Sequence, residues 1–314
     1  MNRAIEAAQL SKHYPSQREN RLAIENIDLS ISPGTLYGLV GPDGAGKTTT
    51  LRILATVMEP TSGMARVGGF DVGRQAEKAR PLIGYMPQAF SLYPDLTVME
   101  NLIFFADING VSKTRRKSRI EELLEFTRLG AFTKRRSEYL SGGMRKKLAL
   151  ACALIHEPRV LLLDEPTTGV DPVSRRELWH SLSQVIVNGV TVLVSTPYMD
   201  EAERCNQISI LYEGKVLTSG APRELEAELP FEILEVKARP RRVIREVIGA
   251  TEGILRWRPV GDRLRLSVNG ADSLEGRLAS ALQSAGADVT ILRRARPNMD
   301  DVFIYLVDEQ RGRA

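Results

Sequence analysis

Eight consecutive residues, Gly41-Pro42-Asp43-Gly44-Ala45-Gly46-Lys47-Thr48, follow the spacing G-x-x-x-x-G-K-[ST], and together they suit a polyphosphate. Glycines let the backbone wrap phosphate oxygens with its N–H groups, and a helix starting at Lys47 turns its positive N-terminus to the same oxygens. Lys47 adds a charge for the terminal phosphates, and the Thr48 hydroxyl can hold Mg²⁺. This pattern predicts a site for a nucleoside triphosphate.

Two further motifs narrow the chemistry. Val160-Leu-Leu-Leu-Asp164-Glu165-Pro166 is an apolar strand ending in two carboxylates. Buried beside the strand of the phosphate loop, it places Asp164 near the metal and lets Glu165 polarise a water for attack on the γ-phosphate. Upstream, Leu140-Ser141-Gly142-Gly143-Met144 precedes the helical run Arg145–Ile155. A serine and two glycines opening a helix form a second anion cradle, this one without a lysine. A nucleotide held by the first loop has no need of it in the same chain, so it is expected to cap the γ-phosphate of a partner subunit.

These residues need strands and helices to hold them. Short apolar runs at Leu36–Val40, Val160–Leu163, Val190–Ser195 and Ile208–Tyr212 read as strands, separated by amphipathic stretches such as Ser118–Leu129 and Ser174–Val187. Over the first 230 residues this alternation predicts an α/β domain with a parallel core sheet. Arg223–Pro230 reads as a helix stopped by proline and marks a boundary. Residues 231–314 restart as a smaller unit: strand Phe231–Ala238, helix Arg241–Ile248, strands Ile254–Val260 and Leu264–Val268, helix Ser273–Ala285, strand Val289–Arg293 and helix Asp300–Val307. The order β-α-β-β-α-β is that of a ferredoxin-like α+β domain.

Composition sets the outer limits. The 314 residues are 43% hydrophobic and 26% charged, close to globular averages, which excludes a disordered or fibrous chain. Forty-three Lys and Arg against 39 Asp and Glu leave a net charge of only +4. The basic runs Lys113–Arg119, Lys134–Arg136 and Arg293–Arg296 lack interleaved aromatics, so solvated faces are expected there and no nucleic-acid partner. Apolar runs such as Leu148–Ile155 fall well short of the about 20 residues of a membrane span. The N-terminus shows no cleavage signal, and Cys152 and Cys205 suggest neither a disulfide framework nor a metal site, which points to the reducing cytoplasm.

With the motifs in place, the sequence resembles the ATP-binding cassette (ABC) ATPases, the motor subunits of ABC transporters, over about residues 4–220. The resemblance sets Walker A at Gly41–Thr49, the signature at Leu140–Met144, Walker B at Val160–Asp164 and the catalytic carboxylate at Glu165. It further implies that Gly169-Val170-Asp171-Pro172 is the D-loop linking two ATP sites. Gln88 would then sense Mg²⁺ and the attacking water, and Tyr14 would stack on adenine. The tail Pro297-Asn-Met-Asp-Asp-Val-Phe-Ile304 resembles that of drug-export types. The implied fold is a P-loop NTPase of ABC type, a mixed-sheet core plus a helical subdomain at about 88–157, ahead of the C-terminal domain. The implied function is an exporter's ATPase with ATP and Mg²⁺ as its cofactors. It would work under separate integral membrane permease subunits, beside a second ABC cassette in a homodimer or heterodimer, peripheral on the inner face of the cell membrane. Ala89–Leu102, with Tyr93-Pro94 and Leu96, would pass motion to the permease.

Two positions depart from the family pattern. Asp43 stands where asparagine is usual, and little effect is expected of it. In Ser195-Thr196-Pro197-Tyr198 the third place, normally a histidine at the γ-phosphate, is Pro197, which has neither a side-chain donor nor an N–H. The three histidines are His13, His156 and His180, and none follows Pro197. Binding is therefore expected at this chain's own site, with weak hydrolysis there and an intact signature to lend to a histidine-bearing partner. The alternative is an ATP-dependent regulatory or assembly protein without efficient hydrolysis.

Overall fold

The computed structural model describes residues 3–15, 21–89 and 91–313, and the chain divides into two compact units, Met1–Pro222 and Arg223–Ala314. In the first unit the elements run β1 (Ile5–Tyr14), β2 (Arg21–Ile31), β3 (Leu36–Val40), α1 (Lys47–Leu54), β4 (Ser62–Val67), β5 (Phe70–Asp71), α2 (Ala76–Ala79) and β6 (Ile83–Met86). Three longer helices follow, α3 (Val98–Ile108), α4 (Lys113–Thr127) and α5 (Gly142–Leu154). The unit closes with β7 (Val160–Asp164), α6 (Pro172–Val187), β8 (Thr191–Thr196), α7 (Met199–Ala202), β9 (Gln207–Tyr212) and β10 (Lys215–Gly220).

Six strands form the central sheet in the order β10-β9-β3-β8-β7-β6. β9, β3, β8, β7 and β6 are parallel, and β10 runs antiparallel at one edge. β7, expected beside the phosphate-loop strand β3, is instead separated from it by β8. Every residue of β3, β7 and β8 is buried. A parallel strand covered on both faces must be apolar along its whole length, and for that reason these three were readable as continuous hydrophobic runs.

A second, antiparallel sheet, β2-β1-β4-β5, departs from the expected regular alternation of strands and helices. Its sequence does not alternate cleanly, because the β1–β2 register shifts three times between Ala7 and His13, and each bulge moves the following side chains to the other face. Ile5, Leu10, Ile24 and Ile27 of this sheet meet Leu39, Leu162 and Leu193 of the central sheet around Leu51, Ile53 and Leu54 of α1. The phosphate-loop helix is therefore buried in the main core.

The helical stretch is capped by its own side chains. Thr97 and Glu100 form a capping box at α3, and Ser112 and Ser141 cap α4 and α5. α4 begins at Lys113, five residues before the amphipathic pattern at Ser118, because the cap and the pairing of its basic residues replace apolar periodicity there. Arg115 pairs with Glu122 and Glu157, Arg116 with Asp107 and Arg119 with Glu122.

In the second unit, α8 (Pro222–Ala227) leads into β11 (Glu232–Arg239), α9 (Arg241–Ala250), β12 (Ile254–Val260), β13 (Arg263–Val268), α10 (Ala271–Ser284), β14 (Asp288–Ala295) and α11 (Met299–Arg313). The sheet order is β12-β13-β11-β14 with every neighbouring pair antiparallel. β13 thus lies between β11 and β12, the split arrangement of a ferredoxin-like domain. On one face Ile244 and Ile248 of α9 and Leu274, Leu278 and Leu282 of α10 pack on Leu234, Val236, Leu266 and Val268.

The opposite face is held by charge. Asp301 of α11 accepts hydrogen bonds from Arg265 Nη2 at 2.7 Å and Nε at 2.9 Å and from Arg258 Nη2 at 2.9 Å. Asn298 and Asp301 exchange backbone-to-side-chain bonds at 3.1 Å, which accounts for the Asn-Met-Asp-Asp segment as a helix start. Burial pushes the Asp301 carboxyl upward in pKa, but the arginine hydrogen bonds outweigh it and hold the group below its ordinary value. A carboxylate with a depressed folded value stabilises fully above the unfolded value near 3.9, and this contribution is lost as pH falls through the folded value. Asp301→Asn removes the closer of the two carboxylates paired with the buried Arg265, leaving it Glu235 at 3.2 Å, and is expected to destabilise this unit by about 2 kcal/mol at pH 7. The difference from wild type should shrink in acid. Urea melts followed by tryptophan fluorescence in a Trp179→Phe background, which leaves Trp257 of the second unit as the reporter, would check this; an unchanged midpoint at pH 7 contradicts it.

Candidate functional site

The phosphate loop joins β3 to α1, and its glycines are dictated by space. A Cβ at Gly41 would lie 2.2 Å from the Leu211 carbonyl oxygen of β9, and Gly46, at φ +106°, would place one 2.4 Å from Ile24 Cγ2. Gly46 is the N-cap of α1, with no side-chain cap and no acidic residue in the first turn. The leading N–H groups of that helix are left to an anion.

A cleft of about 390 Å³ opens over this loop, lined by Tyr14, Leu22, Ala23, Asp43, Gly44, Gly46, Lys47, Thr48, Thr49, Gln88 and Glu165. The structure thus gathers nine of the expected residues, Tyr14, Asp43, Gly44, Gly46, Lys47, Thr48, Thr49, Gln88 and Glu165, from β1, the loop, α1 and the ends of β6 and β7. Tyr14 Oη lies 3.3 Å from Thr49 Oγ1 and donates to Met58 Sδ. Pro42 and Ala45 shape the turn, the Ala45 N–H donating to the Pro42 carbonyl at 3.2 Å. A larger cavity of about 860 Å³ between α4 and α6 lacks all of these groups.

Inside the cleft the charges are paired among themselves. The buried Lys47 donates to the carbonyls of Gly41 at 2.8 Å and Pro42 at 3.0 Å, and its Nζ lies 3.3 Å from Glu165 Oε1. Gln88 Nε2 donates to Glu165 Oε2 at 2.9 Å, and Thr168 Oγ1 donates to the same oxygen at 3.2 Å. Glu165 has φ +48°, a left-handed conformation uncommon outside glycine and held here by its surroundings. Its N–H donates to Ser195 Oγ at 3.0 Å.

Asp164 keeps a carboxylate oxygen that a metal could take. Its Oδ1 accepts from Thr48 Oγ1 at 3.1 Å and from Ser195 Oγ at 2.7 Å, while its buried Oδ2 has no partner. An unpaired carboxylate oxygen beside a hydroxyl suits Mg²⁺, which takes oxygen ligands from one or two carboxylates plus phosphates and waters. Among the described residues no cluster of three or more His, Cys, Asp or Glu is assembled.

The signature residues lie elsewhere. Ser141 Oγ accepts from the Met144 N–H at 3.2 Å, and a Cβ on Gly143 would lie 2.3 Å from Ser174 Oγ of α6. Asp171 caps α6, accepting from the N–H groups of Ser174 at 3.0 Å and Val173 at 3.1 Å, and the Ser174 bond holds its carboxyl below its ordinary pKa. None of Ser141, Gly142, Gly143 and Asp171 lines the cleft over their own chain's phosphate loop.

Pro197 leaves the end of β8 on a fixed backbone. Thr196 Oγ1 donates to Glu201 Oε2 at 2.5 Å and accepts from the Tyr198 N–H at 3.1 Å. Glu201, fully buried, also accepts from Arg175 Nε at 2.6 Å and Trp179 Nε1 at 3.1 Å. The Gly41 N–H donates to the Thr196 carbonyl at 3.2 Å, so this strand end adjoins the phosphate loop. No histidine compensates: His156 is bound through Nε2 to the Ile83 carbonyl at 3.0 Å with its pKa pushed down by burial, His180 is exposed, and neither these nor His13 lines the cleft. Ser195, Thr168 and Lys146 are contacts of the acidic pair that sequence reading missed; only their nearness to the motifs hints at them.

The profile of the family described as "ABC transporter" matches residues 24–168. The Nod factor export ATP-binding protein I of Paraburkholderia xenovorans is 36% identical over 98% of this chain and 98% of its own length. The daunorubicin resistance ATP-binding protein DrrA3 of Streptomyces coeruleorubidus is 37% identical over 93% of each chain. The probable multidrug ABC transporter ATP-binding protein YbhF of Escherichia coli is 50% identical over 69% of this chain, which spans only 37% of that longer relative. Among solved structures, the dimeric post-hydrolysis cassette MJ0796 bound to ADP and Pi superposes with a TM-score of 0.64 at 28% identity, covering 69% of this chain and 98% of that one. A loop built for phosphates, an acidic pair behind it and full-length relatives at more than a third identity lead to one assignment: the chain belongs to the ATP-binding subunits of ABC transporters.

Proposed function

We propose that this chain binds and hydrolyses ATP with Mg²⁺ to power an exporter whose transport path lies in separate membrane permease subunits. The observation that carries this is the cleft in which Lys47, Gln88 and Glu165 are paired with one another above a loop with unused N–H groups. An incoming polyphosphate competes for Lys47, which releases Glu165 Oε1 to accept a proton from water. Gln88, freed likewise, orients that water, and Tyr14 offers a ring to the base. Asp164 and Thr48 would hold Mg²⁺, which supplies charge neutralisation at the phosphates.

Ser141, Gly142, Gly143 and Asp171, outside their own cleft, are assigned to the ATP of a second cassette. Pro197 makes this chain's own site a weakly hydrolysing one. A heterodimer docked under the permease on the inner face of the membrane is the arrangement this favours; among the described residues no helix is long and apolar enough to cross a membrane. Tyr93, 47% exposed and stacked edge-on against Phe104 at 4.5 Å, is a surface for the permease. Multidrug and daunorubicin-resistance names among the relatives support small hydrophobic cargo.

Purified alone, the protein is expected to turn over ATP slowly, and phosphate release should rise by about 10²-fold with a histidine-bearing partner cassette. Brisk turnover by the homodimer would remove the half-site reading while leaving the ATPase one in place. ATP binding with no turnover in either setting would instead favour the regulatory alternative that Pro197 suggests.

A further inference from the structure

We propose that Lys146 is a positioning residue that ties the signature turn of α5 to this chain's own catalytic carboxylate and Gln88. Lys146 stands on α5 one turn beyond Ser141-Gly142-Gly143 and is 3% exposed. Its Nζ donates to the backbone carbonyls of Gln88 at 3.3 Å and Glu165 at 3.4 Å. One ammonium therefore bridges three segments: the signature helix, the chain leaving β6 and the chain leaving β7.

Each partner is placed where a small shift matters. Gln88 and Glu165 turn their side chains into the cleft, where they bond each other at 2.9 Å, while Lys146 holds the backbone behind them. Glu165 sits in a left-handed conformation at φ +48°, which persists only while its neighbours over-determine it. A buried ammonium demands acceptors, so movement of α5 drags on these carbonyls rather than leaving the charge unpaired. Burial lowers the Lys146 pKa, and the nearby Asp164 and Glu165 act against it. A helix is stiff along one turn, so displacement of the anion cradle at its start is carried to Nζ. In this way engagement of the signature alters the aim of Glu165, and nucleotide arriving at Gln88 and Glu165 alters the signature.

The inference rests on the assignment of Glu165 and Gln88 above, and the test separates the two. Lys146→Met and Lys146→Arg are made in the full chain. ATP affinity is read by calorimetry in EDTA, amide hydrogen exchange of residues 140–147 with and without ATP, and phosphate release with Mg²⁺. Lys146 is outside the cleft lining, so Lys146→Met is expected to change ATP Kd less than about twofold, yet to abolish ATP-induced protection of 140–147 and to lower turnover about tenfold at unchanged KM. Lys146→Arg, which keeps the charge, should restore most of both. Protection and turnover at wild-type level in Lys146→Met overturn the inference. So does a wild-type protein that binds ATP without altering exchange at 140–147, or a pair of variants that lose stability and ATP binding alike. A wild type that binds ATP but never hydrolyses it overturns the role given to Glu165 and not the link itself, which the exchange measurement still decides.

Discussion

Exchanging Glu165 for glutamine is expected to stop ATP turnover while leaving nucleotide binding intact or tighter. Glutamine keeps the shape of the side chain and can still bond Gln88 and Thr168, but it cannot take a proton from water. Loss of a general base costs typically about 10²–10⁴ in rate. Binding responds differently, because Glu165 Oε1 lies 3.3 Å from Lys47 Nζ and competes with phosphate for that charge. Neutralising Glu165 removes the competitor. Phosphate release and ATP affinity measured on the same preparation check both halves. A variant retaining more than about a tenth of wild-type turnover would place the base elsewhere.

Restoring a histidine by Pro197→His is expected to raise turnover of the lone protein by about 10²–10³, the typical worth of one preorganised donor. The backbone is ready for it: Thr196 and Tyr198, on either side, are tied through the Thr196 hydroxyl to the fully buried Glu201, and the Thr196 carbonyl takes the Gly41 N–H at 3.2 Å. A side chain introduced at 197 thus leaves a strand end that already abuts the phosphate loop. The gain should appear in kcat with KM little changed, and Pro197→His combined with Glu165→Gln should be inactive. If Pro197→His leaves kcat unaltered, the site is complete without a histidine and the asymmetric pairing loses its basis.

Legibility followed the distance over which each feature is encoded. The phosphate loop, the acidic pair Asp164-Glu165 and the Ser141-Gly142-Gly143 turn are contiguous, and their glycines answer to local geometry such as the Gly41–Leu211 contact, so the motifs could be read one residue after another. The same holds for β3, β7 and β8, whose double-sided burial leaves continuous apolar runs. The antiparallel sheet of β1, β2, β4 and β5 was not readable, since its bulges shift the alternation. Thr168, Ser195 and Lys146 were not readable either, because a hydroxyl or an ammonium acquires its role only from what packs opposite it.

From sequence alone follow the chemistry on offer, a polyphosphate loop with two carboxylates, the order of elements in the C-terminal unit, and the missing histidine at Pro197. The tertiary structure alone decided that Lys47 pairs with Glu165, that Asp164 keeps one oxygen unpaired, and that the signature residues do not line the cleft over their own phosphate loop. Those facts depend on which strand ends lie side by side, β7 between β6 and β8 and β3 next to β8. Pairing between strands far apart in the chain is settled by burial of a shared core, and no local run of residues contains it.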